Sequence, residues 1–123
     1  MNWVLDKSRP ICPQICELIC VAIASGEFSA GEKLLSVREV ALLAGVNPNT
    51  VQKSFEELER RGVIHSVRCL GWYVNESIEA ASAEVKALRA KKTEEYLTTM
   101  SQLGCSWEEI IKHLNEHKEA NHE

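Results

Sequence analysis

Apolar residues recur at intervals of three and four along most of this chain, and the breaks fall where capping residues, prolines and glycines stand. The clearest block runs from Gly31 to Gly62. Ser36 and Glu39 have the spacing of a capping box, so a helix is predicted to start at Ser36 and to bury Val37, Val40 and Ala41. Ala44-Gly45-Val46 supplies a tight turn. Asn47 followed by Pro48 reads as an N-cap with proline in the first helical turn, and Val51, Phe55 and Leu58 repeat at helical spacing until Gly62. Two helices joined by a glycine turn make a helix-turn-helix. Upstream, Ile15, Leu18, Ile19, Ala22 and Ile23 form one face of an earlier helix.

The last third of the chain predicts two more helices. Ser77 can cap the first, which carries Ile78, Ala81, Val85 and Leu88 early and Tyr96, Leu97, Met100 and Leu103 late, with Lys91, Lys92, Glu94 and Glu95 between them; Leu103-Gly104 ends it. A second capping box, Ser106 with Glu109, opens a helix in which Trp107, Ile110, Ile111 and Leu114 share a face. Two such stripes are too short to form a core of their own. They must pack on another copy of the chain or fold back on the preceding residues.

The second helix of the helix-turn-helix is clamped by one face only. Its other face carries Asn49, Gln52, Lys53, Glu56 and Arg60, and amide and basic side chains near a helix N-terminus are the types that reach base edges and phosphates in a major groove. It is expected to be a recognition helix.

With these residues in place, the chain resembles the GntR family of bacterial transcription regulators, and within it the short YtrA-like branch. Arg9-Pro-Ile-Cys-Pro-Gln-Ile15 is similar to the opening of the family's first helix, and Ile23-Ala-Ser-Gly-Glu-Phe-Ser-Ala-Gly-Glu-Lys-Leu34 to its end and following connection. Gly62-Val-Ile-His-Ser-Val-Arg-Cys-Leu-Gly-Trp-Tyr-Val74 is similar to the family's winged hairpin. Two substitutions stand out there: Cys69 replaces the first glycine of the usual wing and Trp72 its threonine, and a cysteine does not permit the positive φ and close backbone approach that glycine does. The resemblance implies a mainly α fold with a small β-hairpin, namely a winged helix-turn-helix domain over residues 1–76 followed by a two-helix C-terminal dimerisation segment over 77–123. It implies a sequence-specific regulator of transcription, a homodimeric repressor on a palindromic double-stranded DNA operator. By match to the family motif, the DNA-binding residues are Arg38, Asn47, Asn49, Thr50, Gln52, Lys53, Arg68 and Gly71.

Charge complicates this picture. The net charge is −4, and both the first 77 residues and the remainder carry more acid than base. Non-specific DNA affinity comes mainly from phosphate neutralisation, so binding must rest on a few placed cations and on dimerisation. Lys7, Arg9, Lys33, Arg38, Lys53, Arg60 and Arg68 are the candidates. An alternative is a winged module that binds protein and not DNA, which the acidic balance and the apolar Cys69, Leu70 and Trp72 in the wing would suit.

Cys12, Cys16 and Cys20 follow one another at every fourth position on the first helix, beside its apolar face, while Cys69 and Cys105 lie elsewhere. The stripe suits small buried hydrophobes in a reducing cytosol, or else a regulator switched by thiol or soft-metal chemistry. Five cysteines include no Cys-x-x-Cys pair and make no even disulfide framework, so neither a metal nor any other cofactor is expected. His65, His113, His117 and His122 are scattered, although His113 and His117 stand four apart.

No Gly-x-Ser-x-Gly, Walker loop or dinucleotide turn is present, and no enzyme is expected. The opening Met-Asn-Trp-Val-Leu-Asp has an early acidic residue, and the longest apolar run, Leu18 to Ala24, is too short to span a bilayer; a cytoplasmic protein without a membrane partner is expected. The larger family members hold an effector in a long C-terminal domain that the tail is too short to supply, which leaves the effector unknown.

Overall fold

Every predicted helix forms. The computed structural model describes residues 1–121 and orders them as α1 (Ile11–Ala24), α2 (Val37–Ala44), α3 (Pro48–Arg60), β1 (Ile64–Val67), β2 (Gly71–Val74), α4 (Glu79–Gln102) and α5 (Trp107–Ala120). His122 lies outside the described residues.

Helix α1 has no side-chain cap after Pro10. Its anchor is Gln14, buried and fully bonded: the amide donates to the carbonyls of Asp6 (2.8 Å) and Pro10 (3.0 Å) and accepts from the Asp6 N–H (2.8 Å). This fixes the N-terminal arm against the helix. The capping box of α2 is complete, with Ser36 Oγ accepting from the Glu39 N–H at 3.1 Å and Glu39 Oε1 accepting from the Ser36 N–H at 3.0 Å. Gly45 ends α2 at φ 67°, a left-handed conformation that lets the chain turn at once into α3. Lys7 Nζ donates to the carbonyls of Ala44 and Gly45 at 3.4 and 3.3 Å, where a cation complements the helix C-terminus.

Strands β1 and β2 pair antiparallel, with Ile64 opposite Val74 and Val67 opposite Gly71. A third extended segment joins the hairpin: the Leu34 N–H donates to the Trp72 carbonyl and the Val74 N–H to the Glu32 carbonyl, both at 2.8 Å. The hairpin turn, Val67 to Leu70, is closed by the Leu70 N–H on the Val67 carbonyl at 3.0 Å, and Cys69 occupies its third position at φ 66°. A turn of this kind favours glycine or asparagine at that position. Cysteine there costs about 1–2 kcal/mol in backbone strain. Cys69→Gly is therefore expected to raise the thermal midpoint by about 2–5 °C, the strain relief exceeding the added chain entropy. Cys69→Val should lower it, and an unchanged midpoint in both variants would show that the turn carries no strain.

The core gathers Ile15, Ile19 and Ile23 from α1, Val40 from α2, Val51, Phe55 and Leu58 from α3, and Val63, Ile64 and Val74 around the hairpin, all buried. Cys16 and Cys20 belong to it, so the cysteine stripe enters the core where the sequence placed it at the border. Ala81 and Val85 of α4 belong to it as well. For that reason the first compact unit runs from Met1 to Ala87 and not to residue 76, and the second begins at Leu88. Within the second unit, Ser106 and Glu109 form the predicted capping box of α5. Ile110 is buried, whereas Trp107, Ile111 and Leu114, expected on the same face, remain exposed. No helix among the described residues is long and apolar enough to cross a membrane.

Candidate nucleic-acid interface

Helix α3 presents its two faces unequally. Val51, Ser54, Phe55 and Leu58 are fully buried, and Ser54 Oγ donates to the carbonyls of Thr50 (3.0 Å) and Cys12 (3.3 Å), which seats the helix on α1. At 100° per residue, the opposite face must then carry Asn49, Gln52, Lys53 and Glu56. Asn49, Lys53 and Glu56 are exposed; Thr50 and Gln52 are half-buried.

Asn47 is placed by its cap: Oδ1 accepts from the Asn49 N–H at 2.7 Å. That bond uses one lone pair of the side-chain oxygen and holds the side chain at the start of α3, with the amide N–H groups available to a ligand. Gln52 Nε2 donates to Glu56 Oε2 at 3.3 Å one turn along. Arg38 on α2 is exposed, and a shallow groove of about 560 Å³ lined by Arg38, Leu42, Gly45, Asn47 and Pro48 brings it beside the start of α3. Arg68 stands apart at the wing turn. Gly71 opens β2 with the Lys33 chain across it; a Cβ at Gly71 would lie 3.3 Å from Lys33 Cε.

The ion pairs sort the seven candidate cations. Arg9 is paired with Asp6 at 3.1 Å, Arg60 with Glu57, and Lys7 is engaged by the α2 carbonyls. Side-chain hydrogen bonds from Arg60 and then Arg61 hold the Glu57 carboxyl down at about 2, so it stays ionised against them. Lys33, Arg38, Lys53 and Arg68 have no carboxylate within 4 Å among the described residues. The cations left free are those around α2, the outer face of α3 and the wing.

Trp72 does not face outward as an apolar wing patch would require. Its ring stands edge-on to Phe55, with centroids 5.4 Å apart and planes at 80°, so the residue that replaces the usual threonine braces the wing on α3. Glu59 adds a second brace, accepting from the Ser66 N–H at 3.0 Å and its hydroxyl at 3.1 Å.

The cysteines of α1 are placed as structure. Burial, reinforced by the neighbouring Cys12 thiol at Cys16 and by the Glu84 carboxylate at Cys20, pushes both thiols up to about 12. At neutral pH they are protonated, whereas the thiolate is the form that binds soft metals and reacts with oxidants.

The family model for bacterial regulatory proteins of the gntR family matches residues 13–74, the span from α1 to the end of β2. The chain belongs to the GntR family. It is 33% identical over 112 residues to the uncharacterised HTH-type transcriptional regulator YhcF of Bacillus subtilis strain 168, an alignment covering 91% of this chain and 93% of that one. To the HTH-type transcriptional repressor YtrA of the same strain it is 39% identical over 86 residues, covering 70% of this chain and 66% of YtrA. Among solved structures, a GntR family transcriptional regulator from Listeria monocytogenes superposes with a TM-score of 0.79 at 38% identity, covering 91% of this chain and 98% of that one. The protein is thus a DNA-binding regulator of transcription and not an enzyme. Membership of the GntR family also decides against the winged module without DNA. The GntR match stops at Val74, before the α4 residues that close the core. Sequence reasoning gave those residues to the tail and counted Lys7, Arg9 and Arg60 among the candidate DNA cations, all three of which are engaged within the chain; it did not single out Arg61 or Glu84, which pair with each other.

Proposed function

We propose that the protein is a homodimeric repressor that reads a palindromic operator with the outer face of α3. One observation carries this reading: α3 has one face locked into the core and leaves Asn49, Lys53 and Glu56 exposed, with the free cation Arg38 beside its start and a second free cation, Arg68, at the wing turn. Asn49 and Gln52 pair with base edges, Thr50 and Lys53 meet the backbone near the helix start, and Arg38 and Arg68 position the phosphates or enter the minor groove. Gly71, with Lys33 across it, brings the wing backbone near the duplex. Asn47 supports these contacts chiefly by holding the N-terminus of α3.

The homodimer rests on the second unit, where Leu103, Trp107, Ile111 and Leu114 are all more than half exposed. An acidic chain gains usable affinity when two half-site contacts are joined. The sign of regulation is supported by likeness to YtrA, which bears the name of a repressor. Such a protein works in the cytoplasm, where the operator is.

The test is selection of duplexes from a randomised library by the purified protein. A two-fold symmetric site with half-sites about one helical turn apart is expected. Against it, Gln52→Ala should alter preference among operator variants by about 1–3 kcal/mol at the affected base, while Lys53→Ala should weaken all duplexes alike and flatten the salt dependence. Equal losses on every duplex from both changes would overturn these roles, and an asymmetric selected site would overturn the two-fold reading.

A further inference from the structure

The start of α3 has no free backbone donor. Pro48 has no N–H, the Asn49 N–H is taken by Asn47 Oδ1 at 2.7 Å, and the Thr50 N–H donates to the Asn47 carbonyl at 3.0 Å. The end of a helix that ordinarily welcomes a phosphate is therefore closed to one. What it offers is apolar surface. Pro48 is exposed and lines the shallow groove of about 560 Å³ together with Val46 and with Leu42 of α2, which is 84% exposed. Arg38, one turn before Leu42 on α2, lines the same groove and has no carboxylate within 4 Å among the described residues. An apolar groove thus lies between the two helices of the helix-turn-helix with an unpaired cation beside it.

We propose that this groove receives the 5-methyl group of a thymine in the operator, and that Pro48 and Leu42 are the residues that specify it. The proposal deepens the reading of α3 given above and rests on it. Base edges in the major groove present hydrogen-bond donors and acceptors, and the one apolar group that projects among them is the thymine methyl. Neither Pro48 nor Leu42 carries a side-chain donor or acceptor, so any discrimination they bring comes from that methyl. The groove is continuous with the face that reads bases: Pro48 and Gln52 are four residues apart on α3, one turn along the same side. One turn is about 5.4 Å, less than two base-pair steps of about 3.4 Å, so the two side chains address the same or neighbouring base pairs. Charge fits the same occupant. The free guanidinium of Arg38 matches the phosphate that flanks the thymine, which fixes register while the apolar groove reads the base.

The probe is the duplex that the wild-type protein selects from a random library, with each thymine of one half-site replaced in turn by deoxyuridine, which removes the methyl and keeps the base pair. At one thymine, within about two base pairs of the position where Gln52→Ala alters preference, the replacement is expected to lower affinity about four-fold, the worth of burying one methyl group. Pro48→Ala keeps a good helix former in the first turn of α3, and Leu42→Ala changes a residue that already meets water, so both variants should fold. Each is expected to bring the thymine-to-uracil ratio at that position below about two-fold and to leave it unchanged at every other thymine. A ratio that persists in either variant, with affinity for both duplexes lowered alike or not at all, would overturn the assignment. No methyl dependence at any thymine, while Gln52→Ala still alters preference, would sink the groove as a methyl site and leave the reading of α3 standing; if Gln52→Ala alters no preference either, both fall. A smaller assembly mass in Leu42→Ala without methyl dependence would give the groove to a second copy of the chain and refute the proposal.

Discussion

Cutting the chain after Glu76 is expected to destabilise the DNA-binding domain strongly and not to release it intact. The Ser77 cap and the end of the family match both place a natural boundary there, directly after β2. The core extends further: Ala81 and Val85 are buried within the cluster built on α1, α3 and the hairpin. Burial of a valine side chain contributes about 1.5–3 kcal/mol and an alanine methyl about 0.8 kcal/mol, and their removal also bares the apolar surface beneath. A loss of about 3 kcal/mol or more is a large share of the stability of a domain this size. It corresponds to a fall of about 12 °C or more in the thermal midpoint. Truncation after Ala87 keeps both residues and the Arg61–Glu84 pair, so that fragment should melt cooperatively near the intact domain and run as a monomer. Circular dichroism on the two fragments checks the difference. A fragment 1–76 as stable as 1–87 would show that α4 is dispensable to the core.

The helix-turn-helix was legible because its signals are local. Ser36 with Glu39, Gly45, Asn47 with Pro48 and Gly62 each act within one turn of themselves, and the structure shows those caps and turns where the sequence puts them. The same holds for Ser106 with Glu109. What the sequence obscured is α4. Its buried residues near the start and its apolar residues near the end do not share a stripe: Val85 and Leu97 are separated by a rotation of about 120° at 3.6 residues per turn. One helix serving two units carries two faces, and a single amphipathic pattern assigns it wholly to one of them. The free cations were half legible. Arg38, Lys53 and Arg68 have no acidic neighbour at helical spacing that reaches them, but Arg60 and Arg61 share Glu57, and only geometry shows Arg61 crossing to Glu84. Cys69 was flagged by the missing glycine, yet whether the backbone would avoid the left-handed conformation or bear it is settled by the hairpin register, which needs a residue there.

The largest loss of operator binding is expected from charge on the exposed stripe of α5. Ile110 is unsuitable for that test because it is buried, with Leu97 and Cys105 along the same groove; an aspartate there would damage the α4–α5 unit itself. Ile111 and Leu114 are 54% and 52% exposed, and with Trp107 they stand at intervals of four and three residues on one face. Ile111→Asp with Leu114→Asp should therefore keep the helices, since each side chain already meets water in the single chain, and should fail only where a second copy covers that face. Joining two half-site contacts in one dimer multiplies affinity by about 10²–10⁴ over either alone. The double variant is accordingly expected to scatter as a monomer, to bind a single half-site as the wild type does, and to lose about two to four orders of magnitude on the full operator. Full retention of mass and operator affinity would place the dimer contact on another face. Loss of half-site binding as well would mean that the two aspartates had unfolded the chain, which a far-ultraviolet spectrum would show at once.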